Sequence, residues 1–451
     1  MKKSKYNHFF DINNKKLAFN GISCALAEID ENFEQIYNRL EDIDYEQLSA
    51  KEKELADNML AGFYIIPDCT DELALLKFRN YRGKYSSDYL SLVIAPTMAC
   101  NFACPYCFEN PKPGVMRQEV QDKLVEIVRV NAERKKPIHI TWYGGEPLLA
   151  KNVVFSLSEK FIKICEENNV EYSSQVITNG YLLSTNDIPL FKKFKIKEIQ
   201  ITIDGPRDIH NQRRFLKAKP QEGSFDVIID NVRMMKANEF IISLRVNIDK
   251  ENIESTKELI LYLKEVGLSG LFINFGHVAP YTDVNQNIKG SCLSMGEYSK
   301  ESLQLQEFLF ENGFDASRFP YYPGIKANYC GADSISAFVI DNEGYKYKCW
   351  NEVGDISMSV GNILWDIEMY TDEMLAREVS YMTWTPFDHE ECRDCFTLPI
   401  CMGGCPYSGK RLNAVYCEKW KFGLLDVLVK TYEQKSKDQI AECCKEEPMT
   451  V

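Results

Sequence analysis

The sequence predicts an α/β chain whose centre is a parallel sheet of six β/α units, with a smaller unit before it and a cysteine-rich one after it. Three observations carry this. Six strand-like segments, at 91–97, 138–144, 173–180, 198–205, 240–249 and 271–278, alternate with amphipathic stretches such as "RQEVQDKLVEIVRVNAERK", "SLSEKFIKICEEN" and "SFDVIIDNVRMMKA". Regular β-then-α order gives a parallel sheet, whose sites lie at the C-terminal ends of its strands. The first ninety residues lack that alternation, and the 16 cysteines gather in two places rather than scatter.

In chain order, "HFFDI" and "KKLAFN" read as a hairpin around "NNK". "SCALAEIDENFEQIYNRLE" reads as one amphipathic helix, and "SAKEKELADNMLAGFYIIPDCTDEL" as a helix and a strand. "RNYRGKYSSDYLS" (79–91) reads as a linker, and "DASRFPYYPG" (315–324) as a bridge into the C-terminal cysteines. The expected units are therefore 1–85, 90–315, 325–425 and a C-terminal helix and tail at 426–451.

With 451 residues, 45% hydrophobic and 26% charged, the chain reads as globular. No apolar run approaches the roughly 20 residues of a membrane span. The basic N-terminus has no apolar segment after it, so no signal peptide is expected. A net charge of −13 argues against a nucleic-acid surface. So many thiols without a leader suit a reducing cytoplasm, where disulfides are rare.

Strand 91–97 runs into "MACNFACPYCFE", which holds Cys100, Cys104 and Cys107. Structural zinc takes four protein ligands, and the next candidates, Cys69, Cys165 and His139, are far off in sequence. A 4Fe–4S cubane on three thiolates leaves one iron open to a small molecule. This CxxxCx(aromatic)C motif, with Tyr106 as the aromatic, resembles the signature of the radical S-adenosylmethionine (SAM) superfamily. The resemblance implies a partial (β/α)6 TIM-like barrel, SAM chelated at the open iron, and hydrogen abstraction by a 5′-deoxyadenosyl radical. It further implies that Phe108, the Gly144-Gly145-Glu146-Pro147 run, Asn179, Asp204 and Arg245 contact SAM or face the substrate. No side chain is expected to act as a catalytic acid or base.

Cys330 and Cys349 open the second series, followed by "CRDCFTLPICMGGC" with Cys392, Cys395, Cys401 and Cys405, and then Cys417. A pair of zinc ribbons is the plain alternative. The spacing resembles the SPASM domain, which implies two further 4Fe–4S clusters and three in all. By that resemblance Cys392, Cys395, Cys401 and Cys417 hold the distal cluster, and Cys330, Cys349 and Cys405 the proximal one. Two cubanes need eight ligands and seven are present. Cys292, a non-cysteine group or an open site completes the count. Cys24, Cys69, Cys165, Cys443 and Cys444 fall to core, surface or tail.

The N-terminal unit resembles the winged-helix-like domain by which maturases of ribosomally made peptides take up a leader peptide as an added strand. A generic capping domain is the alternative. The implied function is a radical SAM maturase acting on the leader and core of a precursor peptide, served by an electron donor such as flavodoxin or ferredoxin. Cys thioether formation is the expected reaction; carbon–carbon cross-linking or epimerisation, or formylglycine formation on a sulfatase, are alternatives. Sulfatase maturases as a family place an aspartate base directly after the cysteine matching Cys349, and here that residue is Trp350.

Overall fold

The protein is described by a computed structural model covering residues 1–40, 45–314, 322–412 and 414–446, with side chains followed to residue 435. Its first strands are β1 (Lys2–Lys3), β2 (Asn7–Ile12), β3 (Lys15–Asn20) and β4 (Leu26–Ile29). The expected hairpin forms between β2 and β3, turning on Asn13 and Asn14 with φ of 50° and 62°. Asparagine tolerates that left-handed backbone better than most residues. The single helix expected over 23–41 is corrected. Leu26–Ile29 pairs antiparallel with β3, and helix α1 (Glu31–Asn38) begins only after Asp30, whose carboxylate caps the Phe33 N–H. Next come α2 (Ala50–Ala61), started by a Ser49/Glu52 capping box, and β5 (Ile65–Ile66), which pairs with β1.

Helix α3 (Glu72–Tyr85) runs through most of the stretch expected as a linker. Its polar residues hid its burial. Asn80 Nδ2 donates to Ala327 O at 2.8 Å, and Lys84, 1% exposed, donates to Trp384 O, so α3 docks on the C-terminal region. Tyr6, Ile22 and Leu76 also share a core with Phe387, Cys392, Leu398 and Met402. Of the expected bridge at 315–324, residues 315–321 lie outside the described residues.

The barrel follows as β6 (Leu90–Ile94), α4 (Gln118–Glu133), β7 (Ile138–Trp142), α5 (Lys151–Glu167), β8 (Tyr172–Thr178), α6 (Asp187–Lys193) and β9 (Ile196–Thr202). Then come α7 (Arg207–Arg213), α8 (Phe225–Ala237), β10 (Ile241–Ile248), α9 (Thr256–Glu265), β11 (Phe272–His277) and α10 (Met295–Glu311). The six strands are parallel in the order 11-10-9-8-7-6, and all six lie where the sequence placed them. Among the described residues β6 and β11 do not pair, so the barrel is open. From β6 the sheet continues into β12 (Ala337–Ile340), which pairs parallel with β6, then β13 (Tyr345–Tyr347) and β14 (Gly361–Asn362). The cysteine-rich region thus enters the barrel's own sheet. It ends in α11 (Asp372–Thr383), α12 (Glu390–Arg393), α13 (Leu398–Cys401), α14 (Pro406–Leu412) and α15 (Trp420–Glu446). Among the described residues no helix is long and apolar enough to cross a membrane.

Candidate functional site

The polar strand ends collect at one end of the sheet. Cys100, Cys104 and Cys107 lie on the loop after β6, and the Gly144–Pro147 run follows β7. The two are joined: Tyr143 N–H donates to Ile94 O, Gly145 N–H to Thr97 O and Glu146 N–H to Ala99 O, at 3.0, 3.3 and 2.8 Å. A Cβ on Gly145 would stand 2.3 Å from Ala99 O, and one on Gly144 (φ 106°) 2.5 Å from Thr97 O. The space these glycines leave is filled by the cysteine loop's own backbone. Glu146 is fully buried, and its carboxylate accepts from Leu148 N–H, Thr178 Oγ1 and Asn179 N–H at 2.9, 2.8 and 2.7 Å. Asn179 Nδ2 donates to Asn101 Oδ1 at 2.8 Å. In this structure the run and Asn179 brace the cysteine loop against the ends of β7 and β8.

Asp204, at the end of β9, has no exposure. It accepts from Tyr106 OH and, at 3.0 Å, from Asn247 N–H. Tyr106 OH in turn accepts from Arg214 Nη1 at 2.6 Å. The aromatic of the cysteine motif therefore carries a hydroxyl held between an acid and a base. Arg214 is buried, sits over the Phe102 ring at 5.6 Å, and its Nε has no partner among the described residues. It is the cation nearest the thiols, lowering the pKa of Cys104 and Cys100 against the larger upward effect of burial. Beside it Arg213 grips Asp249 through two hydrogen bonds of 3.1 and 2.8 Å. Sequence reasoning missed this pair. Two adjacent arginines in "NQRRF" look like a solvated helix end, and only the packing shows them buried.

Sequence reasoning also missed Glu109 and Tyr143. Burial raises Glu109 from 4.5 to about 7, opposed by a hydrogen bond from Tyr143. Tyr143 feels the charges of both Cys107 and Cys349, and its ring lies 4.9 Å from that of Trp350. It therefore stands between the first and second groups of cysteines. Phe108 O accepts from Thr282 Oγ1 at 3.0 Å. Arg245 lies across Gly276, where a Cβ would meet its Nε at 2.1 Å, and donates to Asn247 and Asn274 at 3.0 and 3.2 Å. It opens onto a cavity of about 330 Å³ that has Cys405 in its wall.

The structure sorts the C-terminal cysteines. Burial raises Cys330 to about 12, and Cys330 and Cys349 are raised further by each other or by Cys405. Separately, Cys392 is raised to about 12 by burial and then by Cys401, Cys395 and Cys417. Gly404 makes the second grouping possible, since with φ of 75° it passes so close to Tyr416 O that a Cβ would stand 1.8 Å away. Cys292 joins neither group. Its Sγ donates to Ile288 O at 3.2 Å, and its charged neighbours are Asp249, Lys250 and Glu251.

The cysteines of all three groups are free thiols, and among the described residues no three Cys, His, Asp or Glu side chains converge tightly enough to grip a single ion. Thiolates are the ligands that a soft metal or an iron–sulfur cluster takes. In the first group a bound cluster would draw protons from thiols that burial otherwise keeps neutral, Cys100 being raised to about 12.

Comparison with known proteins agrees. Residues 94–263 match the model of the radical SAM superfamily. A cysteine-type anaerobic sulfatase-maturating enzyme of Clostridium perfringens is 26% identical over 360 residues, 74% of this chain and 94% of its own length. Among solved structures, anSMEcpe with bound AdoMet and Cp18Cys peptide superposes with a TM-score of 0.57 at 21% identity, covering 75% of this chain and 98% of that one. Streptococcus suis SuiB bound to precursor peptide SuiA gives a TM-score of 0.51 at 14% identity, covering 92% of this chain and 97% of that one. The superfamily carries a 4Fe–4S cluster and SAM, and a partly buried trio of thiols beside Arg214, whose Nε has no partner among the described residues, fits both. Residues 94–263 therefore form a radical SAM domain, and the chain that carries it is a SAM-dependent enzyme.

Proposed function

We propose that the enzyme modifies a ribosomally made precursor peptide in the cytoplasm, most directly by forming Cys thioether cross-links, with SAM as radical source and three 4Fe–4S clusters. The observation that carries this is the sorting of ten cysteines into groups of three, three and four. In this reading Cys100, Cys104 and Cys107 hold the SAM-binding cluster, and bound SAM supplies a 5′-deoxyadenosyl radical that takes hydrogen from a substrate carbon. Arg214 offers its free Nε to the carboxylate of SAM. Glu146 and Asn179 keep the cysteine loop fixed, and Phe108 and the Gly144–Pro147 backbone line the cofactor's place.

Cys392, Cys395, Cys401 and Cys417 hold the distal auxiliary cluster of a SPASM domain, and Cys330, Cys349 and Cys405 the proximal one. Cys292 is hydrogen-bonded to Ile288 O, so a cluster held by Cys330, Cys349 and Cys405 would keep a position for substrate thiolate beside the cavity that Cys405 and Arg245 line, where it would be oriented for attack. Thioether formation removes one hydrogen from carbon, one proton from sulfur and one further electron, which such a cluster would accept and pass to an external acceptor. A flavodoxin or ferredoxin supplies the electron that opens the cycle.

The match to SuiB, a structure bound to precursor peptide SuiA that covers 92% of this chain, supports a precursor peptide as substrate. A second reading, formylglycine formation, is favoured by the sulfatase-maturing relative. Against it, the residue after Cys349 is Trp350, packed on Tyr143. The test is mass spectrometry of a precursor peptide encoded beside the gene, and of a cysteine-containing sulfatase peptide, after incubation with the reconstituted enzyme, SAM and reductant. Loss of two hydrogens per cross-link in the precursor, abolished by Cys→Ser, supports thioether formation. Loss in the Ser peptide as well would mean carbon–carbon linkage. Loss of sulfur from the sulfatase peptide alone would install the second reading.

A further inference from the structure

A cavity of about 790 Å³ lies where the loop after Cys107, the loop after β11, the loop after Cys349 and helix α14 meet. Phe108, Val284, Val353 and Met358 give it apolar walls, and Lys112, Lys410 and Arg411 supply three cations. Two of the three are committed. Lys112 Nζ donates to Gly354 O at 2.6 Å. Arg411 donates to Tyr281 O at 2.6 Å and to Asp283. Lys410 differs. Its Nζ sits 3.3 Å from the centre of the Tyr381 ring and, among the described residues, has no hydrogen-bond acceptor.

The acid facing it is already engaged. Glu352, 3% exposed, accepts from Tyr381 OH at 2.7 Å and from Cys349 N–H at 3.2 Å. A second cation, Arg377, also acts on Lys410, and its Nη1 is spent on Ser359 O at 2.6 Å. Lys410 thus feels the charge of Glu352 but makes no hydrogen bond to it among the described residues, so its three N–H donors are left to whatever enters the open cavity.

We propose that Lys410 is the anchor of a substrate subsite for an acidic side chain, so that the modified peptide carries Asp or Glu at a fixed distance from its reacting residue. The inference rests on the peptide-modifying reading above and adds a sequence rule to it. The apolar walls receive the neighbouring side chain, and the carboxylate makes a charge-assisted hydrogen bond to Nζ with the Tyr381 ring behind it. Lys410 is a positioning residue, since it holds the peptide and takes no part in bond making.

The test uses the full reconstituted enzyme with SAM and a displayed library of random twelve-residue peptides, each with one fixed cysteine. Retained peptides should show Asp or Glu enriched about tenfold at one offset from that cysteine, the factor one such bond provides. Lys410→Arg should keep the preference, Lys410→Met should lose it, and Lys410→Glu should turn it toward Lys or Arg. Iron content and uncoupled SAM cleavage report that each variant is intact, and Lys410→Met replaces Lys410→Glu if the latter does not fold. Peptides retained with no charge preference, or the same acidic preference in Lys410→Met, would overturn the subsite and leave the peptide reading standing. Retention of no library peptide would overturn the subsite, and failure to bind the leader-bearing precursor as well would overturn both.

Discussion

At the scale of single residues, the site is built from buried polar groups that each hold a loop. Glu146 joins the ends of β7 and β8 through three hydrogen bonds to its carboxylate and meets the cysteine loop through its N–H to Ala99 O, and Tyr106 joins Asp204 to Arg214. Burial works against the charge of Glu109, as it does against that of Glu146. The folded pKa of Glu109, about 7, stands above the ordinary 4.5, so the folded state binds the proton more tightly than the unfolded one. The sign follows. Stability from this group is full below about pH 4.5 and is lost as pH rises through about 7. In the metal-free protein Glu109→Gln should therefore leave stability unchanged near pH 4.5 and raise it by up to about 3 kcal/mol above pH 7.5. Urea unfolding at the two pH values checks this, and an equal difference at both would refute it.

At the scale of elements, the N-terminal sheet has edges at β2 and β4, and β2 faces a groove of about 300 Å³. Phe9, 45% exposed, lies in it against Tyr37 at 5.0 Å and Phe33 at 6.5 Å. If the leader peptide is taken up there, Phe9→Asp should weaken precursor binding by about tenfold, near the loss of one buried aromatic contact. Iron content and uncoupled SAM cleavage should not change. Fluorescence anisotropy with a labelled precursor checks this; unaltered affinity would move the leader site elsewhere. A point variant is the better test than removal of residues 1–85. Tyr6, Ile22 and Leu76 share a core with Cys392 and Met402, so truncation would disturb the distal cysteines as well.

At the scale of the whole molecule, one open sheet carries the barrel and the cysteine-rich region together, and three groups of thiols lie along it. The reconstituted protein should hold about twelve irons, four for each cubane. Replacing Cys100, Cys104 and Cys107 together by Ala should leave about eight and abolish formation of 5′-deoxyadenosine, because the other ligands sit in separate groups. Iron and sulfide analysis with product chromatography checks both; zinc in place of iron, or cleavage retained in the triple variant, would sink the assignment.

The six barrel strands were legible in the sequence because they are local signals: apolar runs of strand length mark β6 to β11. The spacing of Cys100, Cys104 and Cys107 is local too, whereas Cys330, Cys349 and Cys405 are far apart in the chain and were grouped by resemblance alone. The strand Leu26–Ile29 was not legible, since its apolar residues also suit a helix and only pairing with β3 decides. Nor was the burial of Lys84, Arg213 and Arg214. Charged side chains go inside only where distant partners meet them, Trp384 O for Lys84 and Asp249 for Arg213, and no short window of sequence contains both members. Tertiary structure alone placed Cys292 outside both C-terminal groups, put Tyr143 between two sets of thiols, and left Lys410 without an acceptor. From sequence alone came the parallel order of the six β/α units and the candidate cysteines, because periodicity and spacing are carried by neighbouring residues. Which of them face one another was decided by packing, because contacts between residues far apart in the chain depend on the whole fold.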